Sequence, residues 1–494
     1  MGRFEIPDGW QAQAYRFALD PTPSQVAALE SHCGGARFAY NHMLAQVKQV
    51  MDQRDAERSY GLTETELTPV QGWTLPALRK TWNSRKHVVA PWWGENSKEA
   101  YNSGLDALAR GLDAWTRSRR GERAGAPVGF PRFKSKHRAR NSVRFTTGTI
   151  RVEADRHHIT LPRLGRIKTH ESTRKLARRI DAGTARILAA TVALVQGRWM
   201  CSFQVLVQRA VGTPPAHARR SVHPVVGVDV GVKDLLVVAA PDGTEIARVP
   251  APKSLAKAQS RLGALQRKTA RQVGPYDHAT RTRRAPSNRW RSTQARIGRV
   301  HARAASVRHD VLHKVTTVLA QQHQVVTVET LGVAGMRSKG GARKKGLNRA
   351  LADAALAEIR RMLGYKTPWY GSVLMEADRF YPSSKLCSVC GGRKPSLTLA
   401  DRTYVCEHCG AILDRDLNAA INLARLGDTH NAGGTRTGTG SRPAANHRVG
   451  HGRGATQKTR PAPAGKAGGC EASTRHNTTG VDQTGTASPE GEAA

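Results

Sequence analysis

The chain has 494 residues, enough for two or three domains, and sets 78 Lys and Arg against 38 Asp and Glu for a formal charge of +40. A compact chain carrying that charge repels itself unless a polyanion neutralises it, which makes nucleic acid the default partner. The seven Cys form no disulfide framework, the N-terminus has no apolar core of signal-peptide length, and no run of about 18 apolar residues occurs. A secreted disulfide scaffold and a membrane span are therefore excluded, and a reducing cytoplasm is expected.

In chain order, Ala12–Leu19 reads as a strand broken at Asp20-Pro21. Thr22-Pro23-Ser24-Gln25 is a capping box with Pro at the first helical position. It opens a helical segment to about Val50, with an interruption expected at Gly34-Gly35. Helical patterns recur over Leu75–Trp82 and Asn96–Arg119. The basic stretch GFPRFKSK at Gly129–Lys136 interleaves aromatics with cations. Phe130 and Phe133 there either stack on bases or anchor the core of a basic loop; one residue can do both. Strand patterns follow at Ser142–Phe145, Ile150–Glu153, His158–Leu161, Arg186–Val195 and Trp199–Val207, punctuated by Pro162 and Gly165. They predict a small β-barrel closed by the first strand, with the early helices as an insertion.

A β-branched strand at Val225–Val230 contains Asp229; Leu235–Val238 and Glu245–Val249 are its hairpin partners. Basic helices are predicted from Leu255 to about Gln272 and over Trp290–Gln322, then a strand from Gln324 to Glu329. A helix over Leu347–Leu363 carries the stripe Leu351, Ala355, Ile359 and Met362, and Ser372–Glu376 is a strand. Cys387, Cys390, Cys406 and Cys409 then stand at C-x2-C-x15-C-x2-C spacing, two knuckles that suit one tetrahedral zinc. Asp414-Arg415-Asp416 opens a final helix, LNAAINLARL, through Leu426. Beyond it the chain lacks aromatics and apolar periodicity and reads as disordered.

Three acids sit where a metal site would put them. Asp229 lies inside an apolar strand, Glu329 ends another, and Asp416 starts a helix. An unpaired carboxylate buried in a strand is costly, and a cation offsets that cost. Converging, the three would hold two Mg2+ about 4 Å apart, suited to phosphodiester hydrolysis. Taken singly, each acid reads as a cap or a salt-bridged surface residue.

The ordered segments Pro21–Asn41, Gly129–Lys136, Ile159–Lys168, Gly227–Ala239, Val325–Met336, Leu351–Gly371 and Tyr381–Leu426 resemble the TnpB family. These are insertion-sequence-encoded RNA-guided nucleases related to compact type V CRISPR effectors, and the resemblance spans residues 12–426. It implies an α/β multidomain protein. The parts are a first wedge strand (1–20), an inserted helical recognition domain (21–120), a β-barrel wedge (121–221) and an RNase H-like (RuvC) nuclease domain (222–380). A zinc ribbon (381–412), a last nuclease helix (413–426) and a disordered tail (427–494) complete it. The family's catalytic acids fall on Asp229, Glu329 and the DRDLNAAIN segment, where Asp416 is preferred over Asp414 because it directly precedes the helix signature. The resemblance further implies one structural zinc, two Mg2+ (or Mn2+), and a guide RNA that reads double-stranded target DNA beside a short adjacent motif. The protein is expected to work as a monomer within a ribonucleoprotein, in the bacterial cytoplasm and on the nucleoid. The tail's codons either serve the guide RNA or encode a basic, nucleic-acid-holding extension. The alternatives are a compact type V CRISPR effector and a non-cleaving RNA-guided DNA-binding repressor.

Overall fold

The computed structural model describes residues 5–136, 139–209, 222–274, 276–280, 282–283, 286–338, 344–398 and 401–432. The chain divides after Arg209 into two compact units. Among the described residues no helix is long and apolar enough to cross a membrane.

In the first unit, strand β1 (Trp10–Asp20) lies antiparallel to β7 (Arg198–Gln208) from Trp10 opposite Gln208 to Ala18 opposite Met200. At its far end β1 pairs with β5 (Gly165–Thr169). With β2 (Ser142–Phe145), β3 (Arg151–Val152), β4 (His158–Leu161) and β6 (Ala185–Val195) they form a seven-stranded sheet, ordered β2-β6-β7-β1-β5-β4-β3. Alternation along β7 turns Cys201, Phe203, Val205 and Val207 to one face. They share a core with Phe17, Phe145, Ile159, Ile167 and Val192, so the sheet curls around one interior. The end strands β2 and β3 do not pair with each other among the described residues. Strand β5 begins at Gly165, which the sequence pattern marks only as punctuation, and the short helix α4 (Arg174–Asp181) is a further element beyond those expected.

Between β1 and β2 the chain inserts α1 (Pro23–Ser59), α2 (Leu75–Val89) and α3 (Lys98–Arg119). The capping box forms: the Gln25 amide donates to Thr22 Oγ1 (3.3 Å) and the Thr22 amide to Gln25 Oε1 (3.0 Å). The expected interruption at Gly34-Gly35 is absent, and α1 is continuous. Gly35 serves packing instead. A Cβ on Gly35 would lie 3.0 Å from the Tyr101 ring, and one on Gly104 of α3 would lie 2.0 Å from the Ala36 carbonyl oxygen. Met43, Leu44, Leu78, Trp82, Leu105 and Leu108 fill this second core. The two rings of the aromatic-basic stretch part ways, and the core-anchor reading holds for Phe130. Phe130 packs edge-on against Trp115 at 4.9 Å, while Phe133 is 56% exposed.

The second unit is built on a five-stranded mixed sheet. Strands β8 (Val225–Val230), β9 (Asp234–Ala239) and β10 (Glu245–Pro250) form an antiparallel meander. Strand β11 (Val325–Glu329) then joins β8 in parallel, and β12 (Val373–Ala377) joins β11 in parallel. Helices α5 (Ser254–Arg271) and α6 (Asn288–Gln322) connect β10 to β11. After β11 come the short helix α7 (Val333–Ser338), α8 (Lys345–Ala354) and α9 (Leu356–Tyr370). The single helix expected over Leu347–Leu363 is two, broken where Ala355 takes a left-handed φ of 52°. Its stripe still works: Leu351, Ile359 and Met362 are buried with Leu312 and Leu319 of α6.

A two-stranded ribbon follows, β13 (Thr403–Val405) and β14 (Ile412–Asp414), then α10 (Arg415–Ala432). Helix α10 crosses the other face of the sheet, over β9, β8 and β11. It runs six residues past the expected end at Leu426, so the helix includes Gly427, where the tail is expected to begin. That glycine lies against the sheet, where a Cβ would meet Thr327 Oγ1 at 2.2 Å. The remaining tail call concerns residues 433–494, which lie outside the described residues.

Candidate active site

Side chains two apart on a strand share a face. Gly227 and Asp229 of β8, and Thr327 and Glu329 of β11, therefore look the same way. That way is toward α10, since Gly227 meets the Ala420 and Ala424 backbone and Thr327 meets Gly427. The last paired residues of the two strands are Val228 and Val328. One step further stand Asp229 and Glu329, on neighbouring strands about 4.8 Å apart. Asp416 enters above them from the first turn of α10.

The electrostatics report the same convergence. Burial raises the Asp229 pKa well above the ordinary carboxylate value, and repulsion by Glu329 and then Asp416 raises it further. Burial likewise raises Glu329, opposed by the hydrogen bond it accepts from the Ser383 hydroxyl and by the Arg415 charge. Arg415 donates through Nε (3.1 Å) and Nη2 (3.0 Å) to Asp416 Oδ1, and both side chains are 14% exposed. Asp414 is engaged elsewhere. Its Oδ1 accepts from the amides of Asp416 (3.0 Å) and Leu417 (2.9 Å), capping α10, and it pairs with Arg248 at 3.2 Å. The three predicted acids are thus brought together, and Asp414 has the capping role open to any such acid. Nothing in the local sequence marks Ser383 or Arg415 as part of this site; Arg415 stands there only as a residue of the helix start.

The four Cys form the one cluster of four ligand atoms found among the described residues, with all atoms within 4.8 Å of one another. Cys390 and Cys406 sulfurs are 3.5 Å apart, those of Cys387 and Cys409 3.7 Å. A tetrahedron with zinc–sulfur bonds of about 2.3 Å has edges of about 3.8 Å, so the donor set fits zinc in chemistry and in size. Amides of Val389, Gly392 and His408 point at Cys387, Cys390 and Cys406, each at 3.4 Å, as a knuckle requires. The carboxylate oxygens are hard donors of the kind that Mg2+ takes; among the described residues they do not gather into a cluster of that closeness, and Asp416 is paired with Arg415 while Glu329 accepts from Ser383.

Helix α10 carries the link between the two sites. Asn418 is fully buried; its Oδ1 accepts from the Ser388 amide (2.8 Å) and its Nδ2 donates to the Leu386 carbonyl (2.7 Å). One turn on, Asn422 donates to the Ser383 and Leu386 carbonyls, both at 2.8 Å. The first knuckle and the Ser383 segment are therefore fastened to the helix that carries Asp416.

A family model described as "Probable transposase" matches residues 202–339, and one described as "Cas12f1-like, TNB domain" matches residues 357–423. Over 477 residues the chain is 40% identical to "Putative RNA-guided DNA endonuclease Rv2885c" of Mycobacterium tuberculosis, covering 94% of this chain and 95% of that one. The chain belongs to the TnpB family. A more distant relative, "Putative RNA-guided DNA endonuclease InsQ" of Escherichia coli, is 28% identical over 84% of this chain and 92% of its own. The TnpB relatives so matched are aligned across both units. A third family model, "Helix-turn-helix domain", matches residues 11–55; here that span holds β1 and the continuous helix α1. Among solved structures, "Structure of the mini-RNA-guided endonuclease CRISPR-Cas_phi3" aligns at 12% identity over 86% of this chain and 93% of that one, with a TM-score of 0.35.

Proposed function

We propose that this TnpB-family chain is an RNA-guided DNA endonuclease that hydrolyses target DNA beside a short adjacent motif, with magnesium held by Asp229, Glu329 and Asp416. The observation that carries the reading is the meeting of these carboxylates from two adjacent strand ends and one helix start, in a chain 40% identical to an RNA-guided endonuclease by name. The mixed sheet with α10 across one face supports an RNase H-like (RuvC) domain. The curled seven-stranded sheet, with helices inserted after its first strand, supports a barrel-type wedge and recognition insertion.

Bound magnesium supplies Lewis acidity at a phosphodiester and lowers the pKa of an attacking water. Asp229 contributes the most deeply placed negative charge, whose cost in the bare site a cation would relieve. Ser383 holds one Glu329 oxygen and so fixes the direction of the other. Arg415 pairs with Asp416 and offsets part of the acids' repulsion. The four thiolates would hold one structural zinc and so keep in place the knuckle that Asn418 and Asn422 grip.

The net charge of +40 suits a protein holding a guide RNA, a heteroduplex and a displaced strand, one chain per ribonucleoprotein. Sequencing the RNA that copurifies with the protein should return a transcript with a variable guide at its 3′ end. Cleavage should follow a reprogrammed guide and vanish when RNA is omitted. RNA-free protein cutting equally well at unrelated sites would replace this reading with a plain nuclease.

A further inference from the structure

One segment beside the acids has no part in the chemistry so far. Residues 378–383 leave the end of β12 and reach Ser383, whose hydroxyl bonds Glu329. The start of the segment is tied to the β11 end, where the Thr330 hydroxyl donates to the Ala377 carbonyl at 2.8 Å. Its backbone is set by a tight turn: the Phe380 amide donates to Asp378 Oδ1 (2.8 Å) and the Tyr381 amide to the Asp378 carbonyl (3.0 Å). The Tyr381 hydroxyl donates to the Asn422 carbonyl (3.2 Å), fastening the far side to α10. Between these ties the turn pushes Phe380 outward, where it is 83% exposed.

A single exposed apolar side chain needs no explanation by itself. Here the ring is accompanied. The Arg379 guanidinium lies 5.9 Å from its centroid, and Arg379 has no carboxylate partner among the described residues. The same guanidinium comes within 2.9 Å of where a Cβ on Gly332 would stand, so it lies over the loop that follows Glu329. An aromatic face and an unpaired cation, held on one turn three residues from a side chain that bonds a proposed metal ligand, match the two halves of a nucleotide. The ring offers a stacking surface to any base, and the guanidinium offers donors to the adjoining phosphate.

We propose that Phe380 and Arg379 form a sequence-independent clamp for one nucleotide of the single DNA strand entering the acid site, Phe380 stacking on its base and Arg379 holding its phosphate. The clamp rests on the nuclease reading above. It acts on an unpaired base, since a base within a duplex offers no free face.

The test uses the full-length ribonucleoprotein with its guide and a duplex target carrying 2-aminopurine at single positions around the cut. Fluorescence is read in chelator, so that the strand stays whole, and cleavage is read after Mg2+ is added under single-turnover conditions. Phe380→Ala should slow cleavage by about tenfold, as expected for the loss of one stacked base. It should relieve 2-aminopurine quenching at one position, while target affinity, set by guide pairing, stays within about twofold. Phe380→Trp should restore rate and quenching; Phe380→Leu, apolar but without a π-face, should not. Arg379→Gln should slow cleavage and make it less sensitive to salt. An Ala variant matching the parent in rate and fluorescence, or a Leu variant matching Phe, overturns the clamp while leaving guided cleavage intact. A parent complex that cuts nothing under its guide overturns the nuclease reading and the clamp with it, and that outcome is seen before any variant is made.

Discussion

Helix α10 can carry Asp416 to the sheet only because Gly227 has no side chain. A Cβ at that position would lie 2.0 Å from the Ala420 carbonyl oxygen, 2.2 Å from the Ala424 amide nitrogen and 2.8 Å from the Leu423 carbonyl carbon. All three obstacles are backbone, so no rotamer change relieves them. Real Cβ contacts stay above 3.0 Å, so Gly227→Ala requires the helix to withdraw by about 1 Å or more. Overpacking of this kind costs about 1–3 kcal/mol, and with backbone on both sides the upper end is expected. Displacing a reacting group by about 1 Å costs about a hundredfold in rate. The variant should therefore lose about 3 kcal/mol in denaturant unfolding of the nuclease unit and about two orders of magnitude in guided cleavage, with RNA binding retained. Gly364→Ala is the control: that glycine is exposed on α9 with nothing within 4 Å of its Cβ direction, and the change should stabilise by about 0.4–1 kcal/mol. Unchanged stability and cleavage in Gly227→Ala would show that α10 does not lie against β8 as described.

Asp229→Ala, Glu329→Ala and Asp416→Ala should each abolish cleavage and spare guided binding in a mobility-shift assay. Asp414→Ala should instead cost about 0.5–2 kcal/mol of stability through the lost cap and leave cleavage measurable at low temperature; the reverse pattern for Asp414 and Asp416 would exchange their roles. Elemental analysis should find about one zinc per chain, and Cys387→Ser or Cys406→Ser should loosen the ribbon. Asn418→Ala, which strips the Ser388 amide of its partner while Asn422 keeps its bond to the Leu386 carbonyl, should cost about 1–3 kcal/mol for the amide left unmet, read by denaturant unfolding. Lys366 is buried and donates to the His313 carbonyl and to the Thr316 and Thr317 hydroxyls; burial lowers its pKa from 10.5 to about 8. The unfolded chain then binds the extra proton between those values, so its contribution to stability should rise from about pH 8 to about pH 10.5 and be lost as pH falls through 8. Chemical unfolding against Lys366→Met across that range should isolate the slope, and parallel curves would remove the claim.

Much of this site was legible because its parts sit at boundaries that local patterns mark. Asp229 interrupts a β-branched run, Glu329 closes one, and the Cys spacing needs no fold to be read. What the sequence hid was contact between segments distant along the chain. Gly34 and Gly35 look like a helix break from within α1, and only the Tyr101 ring across from Gly35 explains why a glycine is there. Gly427 looks like a helix end, and only Thr327 beneath it explains why the helix continues. Ala355 gives no local sign that it will adopt a left-handed backbone and split the helix in two. Ser383 is one serine among many until the fold sets it against Glu329.

The DRDLNAAIN segment shows why a short motif can be so readable and still underspecified. Each of its polar residues has a separate duty on one helix start. Asp414 caps, Arg415 pairs with Asp416, Asp416 adds its charge to the surroundings of Asp229, and Asn418 and Asn422 reach the ribbon one turn apart. The i, i+4 spacing of the two asparagines places both on the face turned to the knuckle. Asp416 stands two residues before the first of them, about 200° around the helix, which turns it away from the knuckle. Helical periodicity alone therefore separates the acid's direction from the ribbon's. It leaves open which of the two aspartates is the ligand, because a cap and a first-turn acid differ only in what their oxygens meet. The amide hydrogen bonds to Asp414 Oδ1 give that acid the cap and so favour Asp416 as the proposed ligand, and they depend on where the ribbon strand hands the chain to the helix.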